Sequence, residues 1–183
     1  MSTHRELAAL LATRSARRGD FVLSSGRRSD LYVDARLTTM SPDGLVLVGR
    51  LGLDAIRTTG WSAGAVGGLT LGADPVAYAI AFTSQLDGEP IRAFTVRKQA
   101  KQHGTGRRIE GPFQDGDRVV IVEDVITTGG SALEAVDAVR AAGGVPIGVL
   151  AVVDREEGGR EAIEAVGLPV VSLTTAQDIL AAM

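Results

Sequence analysis

The sequence predicts an α/β fold: a central, mostly parallel sheet flanked by helices, with a small N-terminal hood and a flexible lid loop. Three observations carry this reading. From about residue 41 onward, stretches of strand character alternate with helical ones. Several strands, above all Val119 to Val122 and Val145 to Val153, are apolar without interruption, as strands buried on both faces are. The first 40 residues do not alternate in this way and are set apart as the hood. A chain of 183 residues suits one domain, 1–183, with about 1–40 forming the hood.

The elements follow in order. A first helix is expected over 4–17, with Thr3 and Glu6 spaced as a capping box and Leu7, Leu10 and Leu11 on one face. Phe21 to Leu23 and Leu31 to Val33 read as short strands around a polar turn. Ser41-Pro42 opens a helix, with serine at the N-cap and proline at the first helical position. Ala63 to Val66 reads as a strand, Asp74-Pro75 as the start of a helix running to about Ser84, and Ile91 to Val96 as a strand. A polar loop is expected over 97–111 and a central strand over 119–122. A helix over 131–142 closes at Gly143-Gly144. After the apolar run 145–153, a helix near 159–166, a strand at 169–173 and a helix at 175–182 complete the chain.

Composition narrows the function. A net charge of −3 argues against a general nucleic-acid binder. No uninterrupted apolar run approaches a membrane span, and the N-terminus lacks a signal-peptide core. The absence of cysteine excludes disulfides and thiol catalysis and fits a cytoplasmic location. Of the 19 basic residues only Lys98 and Lys101 are lysines. A chain that otherwise uses arginine has placed its compact, flexible cations together.

The segment Arg118-Val-Val-Ile-Val-Glu-Asp-Val-Ile-Thr-Thr-Gly-Gly-Ser131 is the most informative. A buried strand runs into two carboxylates, Glu123 and Asp124, then into a turn rich in hydroxyls and glycine, then into a helix. Backbone N–H groups and the hydroxyls of Thr127, Thr128 and Ser131 can converge on one phosphate, helped by the positive end of the helix. Gly129 and Gly130 allow close approach and positive φ. The carboxylates would repel a phosphate. They can instead accept hydrogen bonds from vicinal ribose hydroxyls or orient a hydrated Mg²⁺. No Gly-Lys-Ser/Thr and no Gly-x-Gly-x-x-Gly occurs, so the turn is neither a P-loop nor a dinucleotide fingerprint. An ordinary strand-to-helix turn capped by Ser131 would leave the acid pair without a purpose.

This run resembles the phosphoribosyl-pyrophosphate (PRPP) motif of type I phosphoribosyltransferases. The resemblance implies that fold, and it implies PRPP contacts from Glu123, Asp124, Val125, Ile126, Thr127, Thr128, Gly129, Gly130 and Ser131. A second segment, Arg97-Lys-Gln-Ala-Lys-Gln-His-Gly-Thr-Gly-Arg-Arg108, holds five cations and His103 with no apolar face. By charge pattern alone it is either a solvated surface loop or a mobile lid over a polyanion. It resembles the catalytic loop of orotate phosphoribosyltransferases, which reaches over the neighbouring subunit's site in a dimer. The resemblance implies a homodimer with the lid acting in trans. It also implies PRPP contacts from Arg97, Lys98, Lys101 and His103, with Lys101, His103 and Asp124 catalytic.

Three further segments fit the same family. Phe21 to Asp34 is similar to its hood segment and places Tyr32 beside the base, although some relatives carry a lysine where this chain has Ser24. Val66 to Asp74 is similar to its pyrophosphate loop, although some relatives have Tyr-Lys where this chain has Thr70-Leu71. Val152 to Gly159 matches the Val-Asp-Arg-x-Glu run, which implies orotate contacts from Arg155 and Thr127. An arginine fork suits a planar anion such as orotate, while an Arg155–Glu pair at the strand end is the plainer alternative.

The implied activity is transfer of the phosphoribosyl group of PRPP to orotate, giving orotidine 5′-monophosphate and pyrophosphate in pyrimidine synthesis. Mg²⁺ is the implied cofactor, carried by PRPP and touched by Asp124 through water, with no direct protein ligand set. Two rivals stay open: a phosphoribosyltransferase for a purine or uracil, and a non-enzymatic PRPP sensor that binds nucleic acid.

Overall fold

The computed structural model describes residues 3–22, 28–99 and 108–183. Helix α1 (Thr3–Arg14) is followed by an antiparallel pair, β1 (Ala16–Val22) and β2 (Arg28–Val33). Then come α2 (Arg36–Thr39), α3 (Pro42–Thr58), β3 (Ala65–Leu69), α4 (Ala73–Leu86), β4 (Arg92–Val96) and the two-residue β5 (Ile109–Glu110). The second half holds β6 (Arg118–Ile126), α5 (Gly130–Ala141), β7 (Val145–Asp154), α6 (Gly159–Glu164), β8 (Val170–Thr175) and α7 (Ala176–Ala182).

Six strands form one sheet in the order β5-β4-β3-β6-β7-β8, parallel throughout except for β5 against β4. Both faces are covered, and the two-residue period of β6 shows how. Val120 and Val122 pack with Val48, Val76, Ile80 and Leu11 on the side of α1, α3, α4 and α7. Val119 and Ile121 pack with Val136, Val139 and Ile163 on the side of α5 and α6. Local signals place α3 as expected: the Ser41 side chain accepts from Gly44 N–H at its N-terminus and Pro42 fills the first turn. Trp61 is a packing residue, its ring lying over Gly148.

Three expectations are corrected. The first helix ends at Arg14 rather than residue 17, because Ala16, Arg17 and Arg18 pair with Val33, Tyr32 and Leu31. Leu7 and Leu11 of that helix share one core with Ala16, Leu31 and Val33 of the β1–β2 pair, which forms a two-stranded sheet of its own. The central strand continues four residues beyond Val122, since Glu123, Val125 and Ile126 pair with Ala151, Val153 and Asp154 of β7. Within the expected 97–111 loop, Ile109 and Glu110 pair with Val96 and Thr95.

Candidate active site

The strand order reverses its direction of growth between β3 and β6. From β3 the chain crosses through α4 to β4 on one side, and from β6 it crosses through α5 to β7 on the other. Loops leaving the C-terminal ends of β3 and β6 therefore diverge and open a crevice, the position where open parallel sheets take ligands. A cavity of about 440 Å³ lies there, between Tyr32, the Thr70–Gly72 loop, Lys98, the acid pair and Arg155. A smaller one of about 140 Å³ continues over the turn from Glu123 to Ala132. A larger hollow of about 710 Å³ lies between α5 and the Arg108–Asp115 segment, but it contains neither the acid pair nor the turn. Chemistry, not size, identifies the site.

Glu123 and Asp124 are the last polar residues of β6 before the turn, and being adjacent on a strand they face different environments. Glu123 is 6% exposed and its Oε2 has no hydrogen-bond partner among the described residues. Burial, and then the Asp124 charge beside it, pushes its carboxyl well above the usual range, with Lys98 pulling the other way. Asp124 is less enclosed. Burial raises its carboxyl too, opposed by hydrogen bonds from Glu123 and from Val125 N–H, the latter at 2.9 Å, and by the charge of Arg36. A buried acceptor with no partner is costly unless a ligand supplies a donor.

The turn is built as the sequence indicates, one residue earlier. Gly129 has φ +81° and caps α5, which begins at Gly130; of the two glycines only Gly129 needs the left-handed conformation. A Cβ on Gly129 would meet the Gly159 carbonyl at 2.8 Å. Thr127, Thr128, Gly129, Gly130 and Ser131 line the smaller cavity. Ser131 and Thr127 also border the larger one, so the two cavities share a wall. Ile126 is buried in the core and can offer a ligand only its backbone, whose carbonyl already accepts from Arg155 N–H at 2.9 Å.

Arg155 follows β7 and is 6% exposed. Its Nη2 donates to Ser29 Oγ and the Leu31 carbonyl of the hood, both at 2.8 Å, and to Glu157 at 2.7 Å, while its Nε is buried without a partner among the described residues. The arginine thus ties hood to sheet and borders the cavity at the same time. Asp154 fixes the turn that carries it, accepting from Glu156 N–H at 2.8 Å and Arg160 Nε at 2.9 Å. Across the cavity Tyr32 stacks on Phe21 with ring centroids 5.5 Å apart.

The loop after β3 contains a cis peptide bond between Thr70 and Leu71. Its side chains offer little to a ligand. Thr70 Oγ1 donates to Asp74 at 2.6 Å, and Thr95 donates to the other Asp74 oxygen at 2.8 Å and meets the Tyr78 hydroxyl at 2.9 Å. Leu71 is apolar. Lys98 borders the crevice and also an adjoining hollow shared with Arg97, Tyr78 and Thr95. Arg97 reaches Glu110 at 3.4 Å. Lys101 and His103 lie outside the described residues, as does Ser24.

One residue of the cavity was not singled out from the sequence. Arg36, at the start of α2, grips Asp34 through Nε at 2.8 Å and Nη2 at 3.0 Å, and both side chains border the crevice beside Asp124. Nothing distinguishes it in sequence from sixteen other arginines; only its place after the hood strand brings it here.

Comparison with known proteins agrees with this geometry. Residues 45–169 match the phosphoribosyl transferase domain family. An orotate phosphoribosyltransferase of Aquifex aeolicus is 49% identical over 98% of this chain and 99% of its own length. That of Mycobacterium avium is 51% identical over 95% and 94%. The crystal structure of the Mycobacterium tuberculosis orotate phosphoribosyltransferase in complex with PRPP superposes with a TM-score of 0.81 at 45% identity, covering 97% of this chain and 98% of the other. With a family match over residues 45–169 and relatives close to half identical over nearly its whole length, the chain belongs to the phosphoribosyl transferase domain family, in its orotate phosphoribosyltransferase branch.

Proposed function

We propose that the chain, acting as one domain over 1–183, transfers the phosphoribosyl group of PRPP to orotate, yielding orotidine 5′-monophosphate and pyrophosphate for pyrimidine synthesis in the cytoplasm. The observation that carries this is Glu123: a buried carboxyl oxygen with no partner, one strand residue from Asp124 and directly before a phosphate-shaped turn. A ribose bearing a 5-phosphate fills both needs. Its hydroxyls donate to Glu123 and Asp124, and its phosphate takes the backbone N–H groups and hydroxyls of Thr127 to Ser131.

In the reaction the bond from the anomeric carbon to the diphosphate oxygen breaks, and a bond from that carbon to a ring nitrogen of orotate forms. Orotate lies between Tyr32 and Arg155, with Thr127 at its edge. Positive charge grows on the ribose, where the Asp124 carboxylate favours it while Glu123 accepts a ribose hydroxyl. Negative charge grows on the leaving diphosphate, where Arg97, Lys98, Lys101 and His103 favour it. Removing one such contact costs about 3 kcal/mol in the barrier.

The donor set suits a metal carried by substrate. Among the described residues no group of three or more acidic or histidine side chains could cage an ion. Asp124 borders the open crevice with Asp34 taken up by Arg36 and Glu123 buried beside it, which fits an Mg²⁺ that keeps most of its water. Bound to the diphosphate, Mg²⁺ supplies charge neutralisation.

The enzyme works as a homodimer with the lid reaching the partner's site. Tyr78, Phe82 and Leu86 follow one another at four-residue spacing on α4 and are 54%, 68% and 73% exposed, an apolar stripe that water disfavours. Tyr78 also borders the hollow holding Arg97 and Lys98, so a partner seated on the stripe meets the base of the cationic loop.

The test is the loss of orotate absorbance on mixing with PRPP and Mg²⁺, with uracil and hypoxanthine as controls. Consumption of orotate alone is expected. Consumption of uracil or hypoxanthine instead, or no PRPP uptake by calorimetry, overturns the proposal.

A further inference from the structure

The crevice contains a cation to which the reaction above gives no task. The Thr70–Gly72 loop, which resembles the family's pyrophosphate loop, forms the β3 wall of the crevice, and Gly72 lies directly against the Asp124 carboxylate. That wall brings no positive charge. Leu71 is apolar, and the Thr70 hydroxyl is already spent on Asp74. Lys98 stands at the far edge, at the root of the loop that follows β4. Arg36 stands opposite, on α2, bordering the same crevice as Thr70, Leu71, Gly72 and Asp124.

We propose that Arg36 positions the diphosphate of PRPP, supplying from α2 the cationic donors that the Thr70–Gly72 loop lacks. The inference rests on the reading of the crevice as a PRPP site.

Three features of the side chain suit that task. Asp34 takes the Nε/Nη2 edge of the guanidinium in a two-point grip, which fixes the plane and leaves less rotamer freedom to lose on binding. The Nη1 edge makes no hydrogen bond among the described residues, so two of the five N–H donors stand ready for phosphate oxygens. Asp34 is itself held, its N–H donating to the Ser15 carbonyl at 2.9 Å, so the pair is anchored to the junction of hood and body. Arg36 borders the crevice together with Asp124 and the Thr70–Gly72 loop, and its charge is felt at Asp124. Arg155, tied to Ser29 and Leu31, marks the base side. A guanidinium that only pinned Asp34 would not need to border the crevice.

The probe is magnesium pyrophosphate, titrated by calorimetry into the purified full chain and into Arg36→Gln and Arg36→Lys. The expected result is an affinity loss of about tenfold in Arg36→Gln and less than about threefold in Arg36→Lys. The Michaelis constant for PRPP should rise in parallel, while that for orotate stays within about twofold. Pyrophosphate binding by Arg36→Gln equal to that of the parent overturns the inference, as does a loss that falls equally on orotate. Failure of the unmodified chain to consume orotate overturns the PRPP reading itself, an outcome read from turnover and separate from the pyrophosphate titration.

Discussion

Gly72 and Asp124 are in van der Waals contact across the switch point: a Cβ on Gly72 would fall 2.6 Å from the Asp124 Cγ. Gly72 itself has φ −62° and ψ −41°, ordinary helical values, so the glycine is there for space and not for backbone freedom. One missing methyl group therefore sets where a carboxylate of the ribose site stands. Gly72→Ala should displace Asp124 and lower PRPP-dependent turnover at least about tenfold, because small misplacements at a reacting centre are expensive. Thermal stability should change little. A variant with parental turnover would show that the Asp124 position is not critical.

Glu123 makes a prediction about stability and pH. Its carboxyl titrates well above the ordinary value in the fold, chiefly because of burial. The folded protein therefore holds a proton that the unfolded chain has released between those two values. Stability from this group is complete below the ordinary glutamate range and is lost as pH rises toward the folded value. Glu123→Gln removes that dependence. The variant should melt above the parent at about pH 8, with the gap closing toward about pH 4, while turnover falls because an amide N–H donor replaces one of the two acceptor oxygens. A constant gap across that range would place the effect elsewhere.

Arg155 links the crevice, at the proposed base side, to Ser29 and Leu31, so its removal should show twice. Arg155→Ala should raise the Michaelis constant for orotate more than that for PRPP. It should also cost about 2 kcal/mol of stability, since hydrogen bonds from a charged donor to Ser29, Leu31 and Glu157 are lost together. Arg155→Lys restores the charge but not the planar fork, and should recover stability better than orotate affinity. If PRPP suffers more than orotate, Arg155 does not belong to the base side.

The site was legible in sequence where chemistry is local, and obscure where pairing is remote. Glu123 to Ser131 could be read because acids, hydroxyls and glycine are contiguous and their order matches one ligand. That Glu123 and Asp124 lie within the strand could not, since polar residues at a strand end look like a loop until β7 pairs with them. Ala16 and Arg17 read as helix for the same reason: nothing in that polar run reveals its pairing with β2. Arg36 acquires meaning only from its place in the crevice beside Asp124. Arg155 was identified, but its grip on Ser29 and Leu31 joins residues more than a hundred positions apart.

The proposed trans arrangement of the lid yields the last prediction. Lys101→Ala and Asp124→Asn should each be nearly inactive, the first lacking a cation in the lid and the second a carboxylate in the crevice. If each lid serves the partner's crevice, a heterodimer of the two variants holds one site with both defects and one with neither. Mixing should then recover activity approaching half the parental value per heterodimer. A lid that served its own crevice would leave one defect in every site and recover none. Phe82→Asp supplies the second arm, because a charge in the middle of the exposed α4 stripe should prevent association while leaving the core untouched. Sedimentation should report a monomer and turnover should fall with it. Full activity in a monomeric Phe82→Asp protein, or no recovery on mixing after confirmed subunit exchange, would require a site completed within one chain.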